Sequence, residues 1–411
     1  MNSFFAILVV FILLQGLIGV IDGICYYRYI GAHLKCRFES WTPFVSVFLP
    51  CKGLDHELEE NAASVLDQDY PDYEVIFVTA SPDDLAVPLL RSLVEKLPAR
   101  RTKFVTAGVC DQRGEKVNNL IQAIGHADTR SQVFVFTDSD SRPPSSWLKD
   151  LTSPLRNEQL GVSTGYRWLF PTRGNFASVL RSAWNGSIAT LLGDHDHNFA
   201  WGGSMAIRRA TFEQGRVLAY WKNSISDDYS LTRAMKDAKL KIHYEPRCLI
   251  ASHGDCGWHE LLEWSTRQIL LTKIYSRRLW QLAFASQLPF LIGWWWGAGQ
   301  VAFSAWRTFS AESTRQPMMA AQVRRLGVIM GVIYLLGVIR GFLRMQTIKL
   351  VRAGDGAAIN RFWWGYLLLA PLVSTLTAYN LISSMLTSRL EWRGVHYEIR
   401  SASEVRVIRS Q

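Results

Sequence analysis

Two acidic pairs in this chain could carry chemistry. Asp138 and Asp140 stand one residue apart, directly after the apolar run QVFVFT at 132–137. Carboxylates so spaced at a strand end can meet one hard divalent cation, Mg2+ or Mn2+, whose other positions are often filled by substrate phosphates. A polar turn is the plainer use of Asp and Ser. The apolar strand before the pair, and Ser141-Arg142-Pro143-Pro144 with a helix start after it, favour the metal. Far along the chain, Asp227 and Asp228 lie between Ser226 and Tyr229, ahead of SLTRAMK. Acids suit a helix N-terminus, and an acid placed there can also take a proton from a hydroxyl as a general base.

Other candidates are weaker. Trp201-Gly202-Gly203-Ser204 precedes the short apolar run Met205-Ala206-Ile207. Its glycines would let the backbone approach a ligand, or simply make a turn. Asp194-His195-Asp196-His197 resembles a second metal cluster, but such a pattern in a polar loop is usually solvated. His253 and His259 read as structural.

The elements that must position these groups alternate strand and helix. Strands are expected at 44–50, 74–79, 103–106 and 132–137, and helices at 57–66, 85–97 and from 117 to 125. That order implies parallel β-α-β units, an α/β fold whose ligands sit at the carboxyl ends of the strands. Pro50-Cys51-Lys52, residues 80–84 and Asp138-Ser139-Asp140 occupy those ends. No GxGxxG follows the first strand and no GxxxxGK[ST] occurs, which disfavours a dinucleotide fold or a P-loop.

The flanks are of a different character. Hydrophobic residues make up 48% of the 411 and charged residues 19%, but the apolar excess sits at the start and in the last third. Residues 4–21 are long enough to cross a bilayer. No basic residues precede the run, so an uncleaved anchor is expected rather than a signal peptide. Arg28, Lys35 and Arg37 follow it, which places what comes next in the cytoplasm. Three further apolar segments are expected at about 282–306, 326–343 and 362–386, one of them interfacial rather than spanning. The net charge of +10 is concentrated near these segments, at Arg277, Arg307, Arg315, Arg340 and Arg344 among others, where it suits anionic headgroups. Nucleic-acid binding would want it on a folded soluble face, so no nucleic-acid partner is expected. The tail carries Arg389, Arg393, Arg400, Arg406 and Arg409. The six cysteines show no metal-ligand or thioredoxin-like spacing and read as reduced thiols.

VSVFLPCKG, EVIFVTASPDD, GEKVNNL, FTDSDSRPPSSWL, WGGSMAIRR and ISDDYSLTRAMK occur in this order. Together they resemble the inverting glycosyltransferases of family 2 and, more closely, the ceramide glucosyltransferase family. The resemblance covers 44–275 and extends to the flanking membrane segments. It implies a GT-A type nucleotide-sugar-binding α/β sandwich, with an anchor at 1–25, a catalytic domain at 42–275, membrane or interfacial helices at 276–390 and a basic tail at 391–411. It also implies site roles. Pro50 and Cys51 lie near the nucleotide base, Asp84 holds the uridine with Asp83 as its alternate, and Lys116 approaches the nucleotide or its phosphates. Asp138 and Asp140 bind the metal, and Asp228 is the general base with Asp227 beside it. Trp201, Gly202 and Gly203 lie by the donor sugar and acceptor.

One departure stands out. The family closes its catalytic domain on a (Q/R)xxRW motif, and here the matching stretch is Arg267-Gln268-Ile269-Leu270-Leu271. Arg267 remains to meet the diphosphate, while the Arg-Trp pair is Leu-Leu. The expected reaction moves a sugar, glucose first, from a UDP-sugar to a membrane lipid, ceramide first, at the cytoplasmic face. Diacylglycerol, a hopanoid-type lipid and a polyisoprenyl phosphate are the alternative acceptors. A processive polysaccharide synthase, or a non-catalytic membrane binding protein of the same fold, are the competing readings. The sequence leaves the oligomeric state open.

Overall fold

The computed structural model describes residues 3–36, 38–97, 100–310 and 316–408. Arg37, Arg315 and Arg409, on which part of the charge reading rests, lie outside the described residues.

Seven strands form the central sheet: β1 (Val45–Pro50), β2 (Tyr73–Thr79), β3 (Arg101–Thr106), β4 (Val133–Thr137), β5 (Leu160–Phe170), β6 (Ser204–Arg208) and β7 (Lys241–His253). Their order is β3-β2-β1-β4-β6-β5-β7. β1 to β4 are mutually parallel, as expected, but β6 runs antiparallel to both β4 and β5. The sheet is therefore mixed, and its second half comes from β5 and β7, which local pattern did not mark out.

Alternation along the strands divides the core in two. Val45, Val47, Val75, Phe77 and Val135 pack with Leu58, Leu90 and Trp147 on one face. Phe48, Ile76, Phe134 and Phe136 pack with Val117, Leu120, Trp221 and Leu231 on the other. With both faces covered, β1 and β2 are buried along their whole length, and their near-continuous apolar sequences follow from that. The result is an α/β sandwich of the class expected.

The apolar flanks pack directly on this domain. The Ser3–Lys35 helix and the Val323–Val351 stretch are, among the described residues, the two helices long and apolar enough to cross a membrane. They meet through small residues. A Cβ at Gly16 would lie 2.8 Å from Leu336, and one at Gly19 would lie 2.5 Å from the Arg340 side chain, the close approach that membrane helices use. Leu17, Ile18, Val328, Leu335 and Ile339 point outward and are exposed, an apolar belt that water would penalise and a bilayer would cover.

The segment expected at 282–306 is one long helix, Arg277–Ser310, with Pro289 inside it. The segment expected at 362–386 is broken into Trp363–Leu368 and Ala370–Leu386, neither of which is among the two candidate spans. The expected basic tail folds as a three-stranded antiparallel sheet: β8 (Arg389–Trp392), β9 (Val395–Ser401) and β10 (Glu404–Ile408). All six cysteines are free.

A polar knot ties the first helix to the sheet edge. The Glu245 side chain on β7 is fully buried. Its carboxylate accepts from Arg247 at 3.1 Å and meets His33 Nε2 at 2.8 Å, while Arg247 also donates to the His33 carbonyl at 2.7 Å. Glu245→Ala would leave the guanidinium without its carboxylate. Breaking a buried pair costs about 3–5 kcal/mol, so the thermal midpoint in detergent should fall clearly. An unchanged midpoint would show that the knot does not hold these parts together.

Candidate active site

Apolar β4 ends at Thr137 and delivers Asp138, Ser139 and Asp140 to the carboxyl edge of the sheet. The Glu115–Ile124 helix brings Lys116 to the same edge. Its ammonium lies 2.7 Å from Asp138 Oδ1 and 3.0 Å from Asp227 Oδ2. Burial alone would lower the Lys116 pKa, but Asp138, Asp227 and Asp228 together raise it, so it stays charged. Burial likewise opposes ionisation of Asp138. Lys116, with Arg167 and Arg393, outweighs that and holds the carboxyl below its usual range.

Asp227 and Asp228 open the Asp227–Asp237 helix, with Ser226 as N-cap accepting from Tyr229 N–H. The two acids face different ways. Asp227 is buried and turned to Lys116, and burial, then Asp228 and Asp138, push its pKa up to about 6 against the pull of Lys116. Asp228 is half-buried, and both acids line the cavity. Its Oδ1 accepts from Ser226 Oγ and from Tyr229 N–H at 2.7 Å, and its Oδ2 accepts from Gly202 N–H at 3.2 Å. Those donors fix the carboxylate at the cavity wall, and a general base needs such a fixed carboxylate within reach of substrate.

The loop before β6 is glycine for steric reasons. A Cβ on Gly202 would stand 2.6 Å from Asp227 Oδ2 and 2.7 Å from Lys116 Nζ. One on Gly203 would stand 2.3 Å from the Trp201 ring and 2.9 Å from Asp138 Oδ2. Thr137 Oγ1 donates to the Gly203 carbonyl at 3.0 Å and Trp201 N–H to Thr164 Oγ1 at 2.9 Å. The turn is thus locked against the acids it serves.

Four further residues belong to the site and were not read from the sequence. Arg167 on β5 donates to Asp140 Oδ2 at 2.6 Å and lies over the Trp201 ring. Ser139 Oγ donates to Asp55, and Asp55 pairs with Arg393 at 2.9 Å. Arg393 and Trp392 arrive from the turn between β8 and β9, and the Arg267 guanidinium stacks 5.3 Å from the Trp392 ring. Burial lowers the Arg267 pKa to about 10. These partners are far away in sequence, and the one available signal was the cluster of arginines in the tail.

Pro50, Cys51, Lys116, Asp138, Asp140, Trp201, Gly202, Asp228 and Arg267 all line one cavity of about 2250 Å3. Cys51 is buried, with its thiol 3.5 Å from the Leu49 carbonyl. Asp84 braces the wall: its Oδ1 accepts from Gly53 N–H and Ala86 N–H, each at 2.9 Å. Asp83 is exposed. His195 and His197 are exposed, and Asp196 pairs with Lys241 at 3.0 Å. Among the described residues, those groups do not converge as three ligands.

The residues present suit a hard cation. Asp138 and Asp140 each meet their cationic side chain through one carboxylate oxygen, and both line the cavity. Two carboxylates plus substrate phosphates is a common Mg2+ ligand set.

A sequence model of Glycosyl transferase family 21 matches residues 16–405. Ceramide glucosyltransferase 3 of Caenorhabditis elegans is 33% identical over 156 residues, which are 38% of this chain and 33% of that protein. The ceramide glucosyltransferase of Komagataella phaffii is 37% identical over 100 residues, 23% of this chain and 19% of that one. The chain thus spans a third or less of each curated relative's length in these matches. Among solved structures, the mannosyltransferase PcManGT from Pyrobaculum calidifontis, in complex with GDP-Man and Mn2+, is 16% identical with a TM-score of 0.44, covering 92% of this chain and 98% of that one. Glucosyl-3-phosphoglycerate synthase from Mycobacterium tuberculosis, in complex with Mn2+ and UDP-glucose, is 17% identical with a TM-score of 0.35, covering 56% and 78%.

The raised Asp227 carboxyl has a measurable sign. Between its unfolded value, near 3.8, and about 6, the folded protein keeps a proton that the unfolded chain has lost. This group's contribution to stability is therefore full below that window and is lost as pH rises through about 6. Asp227→Asn is neutral throughout. The thermal midpoint of the native protein, relative to the variant, should fall as pH rises from 4 to 6.5. A flat difference would mean that Asp227 titrates normally.

Proposed function

The chain belongs to glycosyl transferase family 21, and from that premise we propose that it moves a hexose, glucose first, from a UDP-sugar to a membrane lipid, ceramide first. What carries the lipid half of this reading is the shape of the cavity. Asp138, Asp140 and Asp228 line one part of it, and Leu282, Phe290, Trp294 and Ile333 line another. The cavity that holds these acids runs on between the long helices, where Gln15, Gln287 and Arg340 line it beside those apolar residues. A lipid hydroxyl can meet Asp228 while its chains stay among apolar side chains.

The transfer needs three things from the protein. Asp228 would accept the proton of the acceptor hydroxyl as that oxygen bonds to the anomeric carbon. The bond from that carbon to the diphosphate breaks on the opposite side, so configuration inverts and UDP leaves with the electron pair. Asp138 and Asp140 would hold Mg2+ or Mn2+, whose charge offsets that on the leaving diphosphate. Arg267 adds positive charge at the same cavity, and fixed charge aimed at a leaving group lowers the barrier. Lys116 keeps Asp138 and Asp227 ionically tied, which positions the loop that donates to Asp228. The uridine would rest near Pro50 and Cys51, in a loop held by Asp84.

Arg28 and Lys35 follow the apolar part of the first helix. The side preference of basic residues then puts the sugar-donor pocket in the cytoplasm, where nucleotide sugars are met.

The decisive experiment screens several UDP-sugars against a lipid extract with Mg2+ or Mn2+, reading products by mass spectrometry. Asp228→Asn should lower turnover by about 10²–10⁴-fold, the usual share of a general base, while UDP affinity stays near that of the native protein. Asp138→Asn and Asp140→Asn should instead weaken metal-dependent UDP binding. Binding of UDP by the native protein with no product from any donor and any lipid would refute the enzyme reading.

A further inference from the structure

The small sheet β8–β10 and its first turn contribute Trp392, Arg393 and Tyr397 to the cavity lining. Trp392 pairs with Val395, so Arg393 and Gly394 form a two-residue turn, with φ of 51° and 74°. Such turns favour asparagine or aspartate and then glycine, because both central residues need positive φ. An arginine in the first place sits in a backbone region that L side chains rarely adopt.

Docking of the sheet does not explain that choice. Tyr397, Ile399 and Val405 are buried against Ile225 and Leu271. Tyr397 Oη accepts from Glu115 N–H at 3.2 Å, and Val407 N–H donates to the Asp111 carbonyl at 3.0 Å. The sheet is held by its own core and by these bonds. Arg393 extends past them into the cavity.

There its guanidinium donates to Asp55 Oδ2 at 3.0 Å, lies 2.9 Å from Asp55 Oδ1, and donates to the Lys52 carbonyl at 3.3 Å. Asp55 also accepts from Ser139, the residue between Asp138 and Asp140. Arg393 is thus one side chain away from both metal-site carboxylates. Its side chain remains 36% exposed, so it can meet a ligand without leaving Asp55. Its neighbour Trp392 covers Arg267. Lys116 and Arg167 are held by acids at 2.6–3.0 Å, whereas Arg267 reaches its acid, Glu263, only at 4.0 Å.

We propose that Arg393 is a ligand of the donor's nucleoside diphosphate, and that β8–β10 is the roof of the donor pocket, bringing Trp392 and Arg393 to the place where Arg267 waits. A guanidinium presents a planar fork that matches phosphate oxygens two at a time. This inference rests on the donor being a nucleotide sugar, as proposed above.

The test compares UDP with uridine, and GDP with guanosine, by calorimetry on detergent-solubilised full-length protein with Mn2+. Arg393→Ala should weaken diphosphate binding about 10- to 100-fold, the worth of a charge-assisted hydrogen bond, and leave nucleoside binding unchanged. Arg393→Lys, which keeps the charge and loses the fork, should fall between. Equal weakening of nucleotide and nucleoside would make Arg393 a structural part of the roof and overturn the proposal. Unchanged binding of both UDP and GDP in both variants would overturn it as well. Selective loss of GDP rather than UDP would keep Arg393 as the ligand and instead remove the uridine donor. A native protein that binds neither diphosphate would remove both readings.

Discussion

One ammonium group holds the site together. Lys116 is largely enclosed, and its charge survives because Asp138 and Asp227 close on it from two elements that are distant in sequence. An isolated charge in such a place would be expelled or neutralised. The pairing therefore fixes more than itself. It sets the end of β4 against the start of the Asp227–Asp237 helix, and it leaves no room for a side chain on Gly202. With Gly202 so placed, its N–H is free to orient Asp228. The Asp228 carboxylate, the base proposed above, is thereby located by a cation that never needs to touch it.

That dependence explains how two adjacent aspartates come to differ. Asp227 looks inward at Lys116 and resists ionisation, while Asp228 looks outward and is dressed by N–H and O–H donors. A helix N-terminus suits both acids, so the sequence pattern alone could not assign them. The resemblance named Asp228 as base and Asp227 as neighbour, and the geometry distinguishes them: Asp227 is buried against Lys116, whereas Asp228 is half-buried and held by three donors.

The same contrast marks what was legible in the chain. β1, β2 and β4 were readable because a buried parallel strand is a short apolar run closed by a turn or helix signal, and Asp138 and Asp140 were readable because they end such a run. β5 and β7 were not, since a mixed, partly polar strand gains its place from neighbours up to about eighty residues away rather than from its own pattern. Arg167, Asp55 and Arg393 share that fate. Each is an ordinary charged residue locally and acquires meaning only when the sheet, the loop after β1 and the tail converge. In the sequence the tail's arginines read only as a basic tail. Arg393 instead turns inward, because β8–β10 has its own small core to dock with.

The broken helix near the C-terminus belongs to the same economy of space. A Cβ on Gly341 would stand 2.1 Å from the Tyr366 carbonyl, so the Trp363–Leu368 turn is wedged against the second candidate span, and the chain restarts at Ala370 instead of running straight through. Broken, it places Tyr366 between Trp168 of the sheet and Ser182, and Pro371 and Val373 along the cavity wall. The gain is thermodynamic. Each lipid methylene brought into water costs about 0.8 kcal/mol, so a site reached only through solvent would add many such terms to the barrier. For the lipid acceptor proposed above, a wall that begins at the helices and ends at Asp228 would remove most of them, and one shared cavity would serve that end.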